Sequence, residues 1–224
     1  TKIESMIYLA DTANIDEIKE LFNYFPIDGV TTNPTILSHE NKTLSSVVAK
    51  IQKCIEGKML HIQTISEEAE DILHEAKRYR DYFELNDNYY VKIPVTKNGY
   101  KAIKMVKDAG MNVTATAIFT QQQALIAAKA GADFVAPYVN RLDNISSHGI
   151  EVVSDIVKTF KLYDIKCKVL AASFKNVDQI YRVSMVGCHA VTASYEILEA
   201  IMKHPMTDKG VLDFKKDSSN IYDV

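Results

Sequence analysis

Cysteine is scarce in this chain: Cys54, Cys167 and Cys188 are the only three in 224 residues. Their odd number, wide spacing and lack of a C-x-x-C pair argue against a disulfide framework or a structural zinc site. They fit a reducing, cytoplasmic setting, with each thiol packed as a small hydrophobe. No run approaches the ~18 apolar residues of a membrane span. No basic segment followed by an apolar core marks a signal peptide, and Thr1 to Ser5, ahead of Met6, read as a remnant of processing or cloning. Basic excess is missing too. Lys and Arg total 26 against 29 Asp and Glu, a net charge of −3, so neither nucleic acid nor an anionic membrane is an expected partner. A local site for a single phosphate stays compatible with that balance, because it needs only a few donors. The chain also lacks H-E-x-x-H, clustered His/Cys ligands, a G-x-S-x-G elbow, a Walker loop and a dinucleotide fingerprint. No metal and no cofactor are therefore expected.

What is present is a repeated unit with no linker dividing it. Short apolar runs occur at Met6–Ala10, Gly29–Thr32, Met59–Gln63, Tyr89–Val95, Asn112–Ala117, Phe134–Val139, Lys168–Ala172 and Ala190–Ala193. Each is followed by a longer stretch of helical periodicity, such as Ile15–Phe22, Leu44–Ile55 and Ala69–Phe83. Gly110, Gly131 and Gly187 stand where three of those helices should stop, in the left-handed position that glycine tolerates. Eight strand-then-helix units with short connections predict a parallel sheet covered on both faces. Eight units and 224 residues suit a single (β/α)₈ TIM barrel. The alternative is an open doubly wound sheet, whose Gly-rich first turn is replaced here by Asp11-Thr12-Ala13-Asn14.

In such a barrel the chemistry sits at the C-terminal strand ends. Polar residues gather there: Asp11, then Thr31, Thr32 and Asn33, then Gln63, Lys92, Thr114 and Thr116. Tyr138, Asn140, Arg141, Ser173, Lys175 and Ser194 complete the series. Singly, each reads as a turn residue or helix cap, and Asp11, Asn14 and Ser194 invite that explanation. Repeated around the strand ends, they make a pocket.

Lys92 differs from the rest because it lies within an apolar strand, between Val91 and Ile93. Burial disfavours the ammonium form, so a neutral amine becomes available. That amine can attack a carbonyl and form an iminium, an electron sink through which a neighbouring C–C bond breaks without a metal. The alternative is a lysine ion-paired to Asp11. Candidate proton handlers are Asp11 and the phenol of Tyr138, with a water held by Gln63 and Thr116. Arg141 offers a planar fork for phosphate, Ser173 is a helper, and Lys175 suits anion binding. Of six histidines only His61 lies near these positions, on the strand face of Gln63, and it reads as a packed core residue.

The segments Ala10–Asn14, Gly29–Thr35, Val91–Thr96, Ala136–Arg141 and Ala171–Lys175 resemble the small transaldolases and fructose-6-phosphate aldolases, in the same order along nearly the whole chain. The resemblance implies a barrel with its Schiff-base lysine on strand four, at Lys92. It implies proton transfer assisted by Asp11, substrate hydroxyls positioned by Asn33, and a sugar phosphate held by Arg141 and Ser173. It further implies a homo-oligomer, a pentamer or decamer, to which Thr207–Lys216 and the tail to residue 224 contribute. Gln63 and Tyr138 are the pair found in the aldolase branch, whereas transaldolases place a glutamate and a phenylalanine there. Two activities stay open: release of dihydroxyacetone as an aldolase, or its transfer to a second aldehyde. A third possibility, from another class, is a non-catalytic sugar-phosphate binding protein.

Overall fold

The computed structural model describes residues 5–223; the remnant reading of Thr1 to Ser5 falls outside them except at Ser5. Strand β1 (Ile7–Asp11) leads into α1 (Ile15–Tyr24), then β2 (Gly29–Thr31) into α2 (Pro34–His39) and α3 (Leu44–Ile55). Next come β3 (Met59–Gln63) with α4 (Ala69–Tyr82) and β4 (Tyr89–Pro94) with α5 (Lys97–Asp108). β5 (Asn112–Ile118) and α6 (Gln121–Lys129) precede β6 (Phe134–Pro137), α7 (Val139–Asn144) and α8 (Gly149–Leu162). β7 (Lys168–Ala171), α9 (Val177–Met185), β8 (Ala190–Ala193), α10 (Tyr195–Met202) and α11 (Pro205–Asp217) finish the chain. All eight strands are parallel and pair in sequence order, and β8 closes onto β1 with Ile7 opposite Ala190 and Ala10 opposite Ala193. That closure excludes the open sheet and makes the fold a (β/α)₈ barrel.

The pleat explains why the strands read as continuous apolar runs: each is buried on both faces. Outward residues such as Val30, Leu60, Val91, Ile93, Val113, Val135, Val169 and Val191 form the main core with the helices. Inward residues form a second, smaller core at the barrel floor, with Leu9, Phe134, Ala136, Leu170 and Ala190 packed beside Met59 and Tyr90. Above that floor the inward positions turn polar. Gly110, Gly131 and Gly187 have φ of 83°, 112° and 86° and end their helices as expected. Asn14 and Ser194 do cap helices, accepting from the backbone N–H of Glu17 and Ile197. Asp11 does not cap one.

Two short helices, α2 and α7, were not expected. Each occupies a strand-to-helix connection of the upper rim, and α2 carries its own signal, Asn33 as cap with Pro34 at the first position. The expected sixth strand stops at Pro137 rather than Val139, because Val139 begins α7 and only an isolated bridge joins Tyr138 to Ala172.

One glycine ties the fold to the site. Gly99 lies in the first turn of α5, where alanine would ordinarily favour a helix by about 1 kcal/mol. A Cβ there would collide with the carbonyl oxygen of Pro94. Gly99→Ala should therefore destabilise the protein by about 1–3 kcal/mol, the ordinary cost of overpacking, read as a lowered Tm. An unchanged or raised Tm would show that the strand end bearing Lys92 yields freely.

Candidate active site

The upper interior holds a cavity of about 230 Å³ lined by Asp11, Thr31, Asn33, Lys92, Thr114, Thr116, Tyr138, Arg141, Ser173 and Thr192, with Ala136, Leu170 and Ala172. Lys92 is 6% exposed and donates from Nζ to the carbonyl of Thr32 at 2.9 Å. It is not in ion-pair contact with Asp11 among the described residues. Burial lowers its pKa, and the charge of Asp11 partly opposes that. The carboxyl of Asp11 is pushed up by burial against the pull of Lys92, the Thr31 hydroxyl and Arg141. Thr31 donates to Asp11 Oδ1 at 2.8 Å and its oxygen lies 2.5 Å from that of Thr192. Both partners are thereby moved toward their neutral forms, which suits an amine that must attack and a carboxyl that must give or take a proton.

Across the cavity, the Tyr138 hydroxyl lies 2.8 Å from Thr116 Oγ1. A register shift between Ala115 and Ile118 and the left-handed Ala117, at φ 59°, accompany this contact. A bulge of this kind re-aims a side chain beside a site. The Arg141 guanidinium stacks over the Tyr138 ring, 4.9 Å from its centroid, which holds a cation at the rim. Ser173 is also left-handed, at φ 62°, a strained geometry that collects at ligand sites. Asn33 reaches the cavity while its Oδ1 accepts from the N–H of Ile36 at 2.9 Å.

Lys92, Asp11, Tyr138, Thr116, Asn33, Arg141 and Ser173 thus come together in one cavity. Four other expected residues do not line it. Gln63 is level with Lys92 across β3 and β4, yet it falls with Pro94 and Thr96 in the lining of another recess. Thr32 contributes its carbonyl, while its hydroxyl turns to the carbonyl of His61 at 3.0 Å. The Asn140 side chain accepts from Gln179 at 3.3 Å. Lys175 is exposed at the start of the turn into α9. Thr192 was missed: it sits within an apolar strand, and only its two-residue spacing from Ser194 hinted that it faced inward. No group of three or more His, Cys, Asp or Glu able to hold a metal occurs among the described residues, and no helix there is long and apolar enough to cross a membrane.

Comparison with known proteins bears on the family and the fold. A family model described as Transaldolase/Fructose-6-phosphate aldolase matches residues 8–223. A protein of Thermoanaerobacter sp. named "Probable transaldolase" is 37% identical over 212 residues, 95% of this chain and 96% of that one. A relative of the same name from Thermoplasma acidophilum is 39% identical over 210 residues, 92% of each chain. Among solved structures, a mandelate oxidase variant with an FMN adduct has a TM-score of 0.58 at 12% identity, over 85% of this chain and 64% of that one. That likeness concerns the fold alone.

Proposed function

The chain belongs to the transaldolase/fructose-6-phosphate aldolase family, and on that premise we propose that it cleaves fructose 6-phosphate reversibly to dihydroxyacetone and glyceraldehyde 3-phosphate through a Schiff base on Lys92. The observation that carries the proposal is a buried amine, lowered in pKa, in one cavity with Asp11 and Tyr138. Neutral Nζ attacks the ketone carbon, giving a carbinolamine that loses water to become an iminium. The hydroxyl on the far side of the scissile bond gives up its proton, the C–C bond breaks, and its electrons pass into the enamine. Asp11 is placed to give a proton to the carbinolamine hydroxyl as it leaves as water, and then to take the proton of the hydroxyl across the scissile bond. The Tyr138–Thr116 pair would hold the water that protonates the enamine, with Gln63 acting from the other recess. Asn33 would position the substrate hydroxyls. Arg141 and Ser173, at the rim, would take the phosphate, with Lys175 and Asn140 farther out.

Borohydride added with dihydroxyacetone should leave a reduced adduct on Lys92, detected as added mass on the peptide that contains it. An adduct on another lysine, or none, removes the proposal. A second reading, transfer of the dihydroxyacetone unit to erythrose 4-phosphate, draws support from the names of the relatives. Measuring free dihydroxyacetone with and without an acceptor aldehyde separates the two. We expect release without acceptor, because a phenol at Tyr138 can hold a water against the enamine. Release only in the presence of acceptor would assign transfer.

The three free thiols suit a cytoplasmic enzyme. We further propose a homo-oligomer, pentamer or decamer. Helix α11 buries none of its residues and exposes Met206, Val211, Leu212 and Phe214, an apolar stripe that a second copy would cover. Light scattering gives the assembled mass.

A further inference from the structure

Directly below the cavity, one polar side chain is left over. His61, on β3, is wholly buried, stacked on Tyr90 with ring centroids 4.5 Å apart and tilted against Phe134. Its Nδ1 lies 2.8 Å from the hydroxyl of Thr114. Its Nε2 is the only buried side-chain nitrogen or oxygen without a hydrogen-bond partner among the described residues. A native interior rarely leaves such an atom unmatched, so it asks for a reason. Burial, reinforced by the charge of Lys92, drives the imidazole pKa well down, and the ring is neutral.

A neutral imidazole carries one N–H, and two arrangements follow. With the hydrogen on Nε2, a buried donor is stranded, and Nδ1 consumes the hydroxyl hydrogen of Thr114. With the hydrogen on Nδ1, the ring donates to Thr114, and the hydroxyl hydrogen is turned away from the floor. Thr114 is the strand neighbour of Lys92 across β4 and β5, and it lines the cavity. A stranded buried N–H is also rarer in native interiors than an under-satisfied acceptor, which favours the second arrangement. We propose that His61 is a positioning residue in its Nδ1–H form. It holds the Thr114 hydroxyl as a donor to the oxygen on the carbon that becomes bonded to Lys92 Nζ. The contact is a hydrogen bond that strengthens as that oxygen gains negative charge; no proton changes hands. The inference rests on the Schiff-base role of Lys92 proposed above.

Three substitutions and one spectrum test it. His61→Phe keeps the stack and removes both nitrogens, and Thr114→Val keeps the volume and removes the hydroxyl. His61→Asn carries an amide that reaches the Nδ1 place but not the Nε2 place. Losing one hydrogen bond to a developing charge should lower kcat in His61→Phe and in Thr114→Val on the order of tenfold, with KM little changed. The double variant should be no worse than Thr114→Val alone, and His61→Asn should retain most of the parent kcat. Ring-nitrogen NMR of the ¹⁵N-labelled parent should show Nδ1 protonated and Nε2 bare, a result that needs no variant to fold. Additive losses, equal losses in Asn and Phe, or an Nε2–H form would overturn the inference. Borohydride labelling of Lys92 in the parent is the control: if it fails, the Schiff-base reading falls, whereas labelling with additive losses sinks the role of His61 alone.

Discussion

Replacing Lys92 by methionine is expected to reduce turnover by a factor on the order of 10⁴ or more, since a covalent route closes when its nucleophile is removed. Methionine preserves the buried stem and supplies no amine, so binding of sugar phosphate at the rim should survive. A variant that binds and does not turn over separates an enzyme from a binding protein; a parent that never turned over would assign the latter. The same substitution has an opposite effect on stability. The folded pKa of Lys92 is lowered by burial, so between that value and the ordinary lysine value the unfolded chain binds more protons than the native one. Native stability owed to this group therefore rises with pH across that window. Below the window the native state carries the full cost of a buried cation. Lys92→Met should accordingly gain stability at low pH and lose that advantage as pH climbs toward the ordinary lysine range. The unpaired Thr32 carbonyl offsets about 1 kcal/mol of the gain. Unfolding curves at several pH values check the trend, and a gain that grows with pH would contradict it.

Asp11→Asn should lower kcat by about 10²–10⁴, the usual worth of a positioned proton-transfer group. The isosteric amide keeps the size of the side chain and can still accept from Thr31. What it loses is the charge that holds the Lys92 pKa up. The Lys92 pKa should then fall further, and the rising limb of the activity profile should move to lower pH. Imine formation and carbon–carbon cleavage would come apart: borohydride labelling with dihydroxyacetone persists while turnover collapses. If labelling and turnover fall together, Asp11 acts on the amine alone and proton exchange belongs to the Tyr138–Thr116 pair.

The barrel was legible because two signals reinforced one another, eight doubly buried apolar runs and glycines at helix ends. The short helices α2 and α7 were not, since six residues give too little periodicity to distinguish from a loop. Among site residues, those placed in a strand interior or at its last pleat were readable from parity, Lys92 and Asp11 first. Residues one or more positions past the strand were less so. There the connecting backbone sets direction, as when Asn140 turns to Gln179. Thr192 escaped notice for the opposite reason, being a single hydroxyl inside an apolar strand. The burial of His61 follows from its place in an apolar strand, but no sequence pattern reveals that one of its nitrogens goes unmatched there.

The two tiers of the barrel interior bear on how such a protein can change over time. The lower tier, with Leu9, Phe134 and Ala190, packs the floor, Leu170 is shared between floor and cavity, and the proposed ligand contacts lie above. A lineage can thus exchange hydroxyls, amides and cations around Lys92, testing other ketoses and other anionic groups, while the staves beneath stay joined. The exception is the column through His61, which spans both tiers. Along it, drift in the floor is felt by the chemistry, and we expect that column to be the last part of the interior to vary independently.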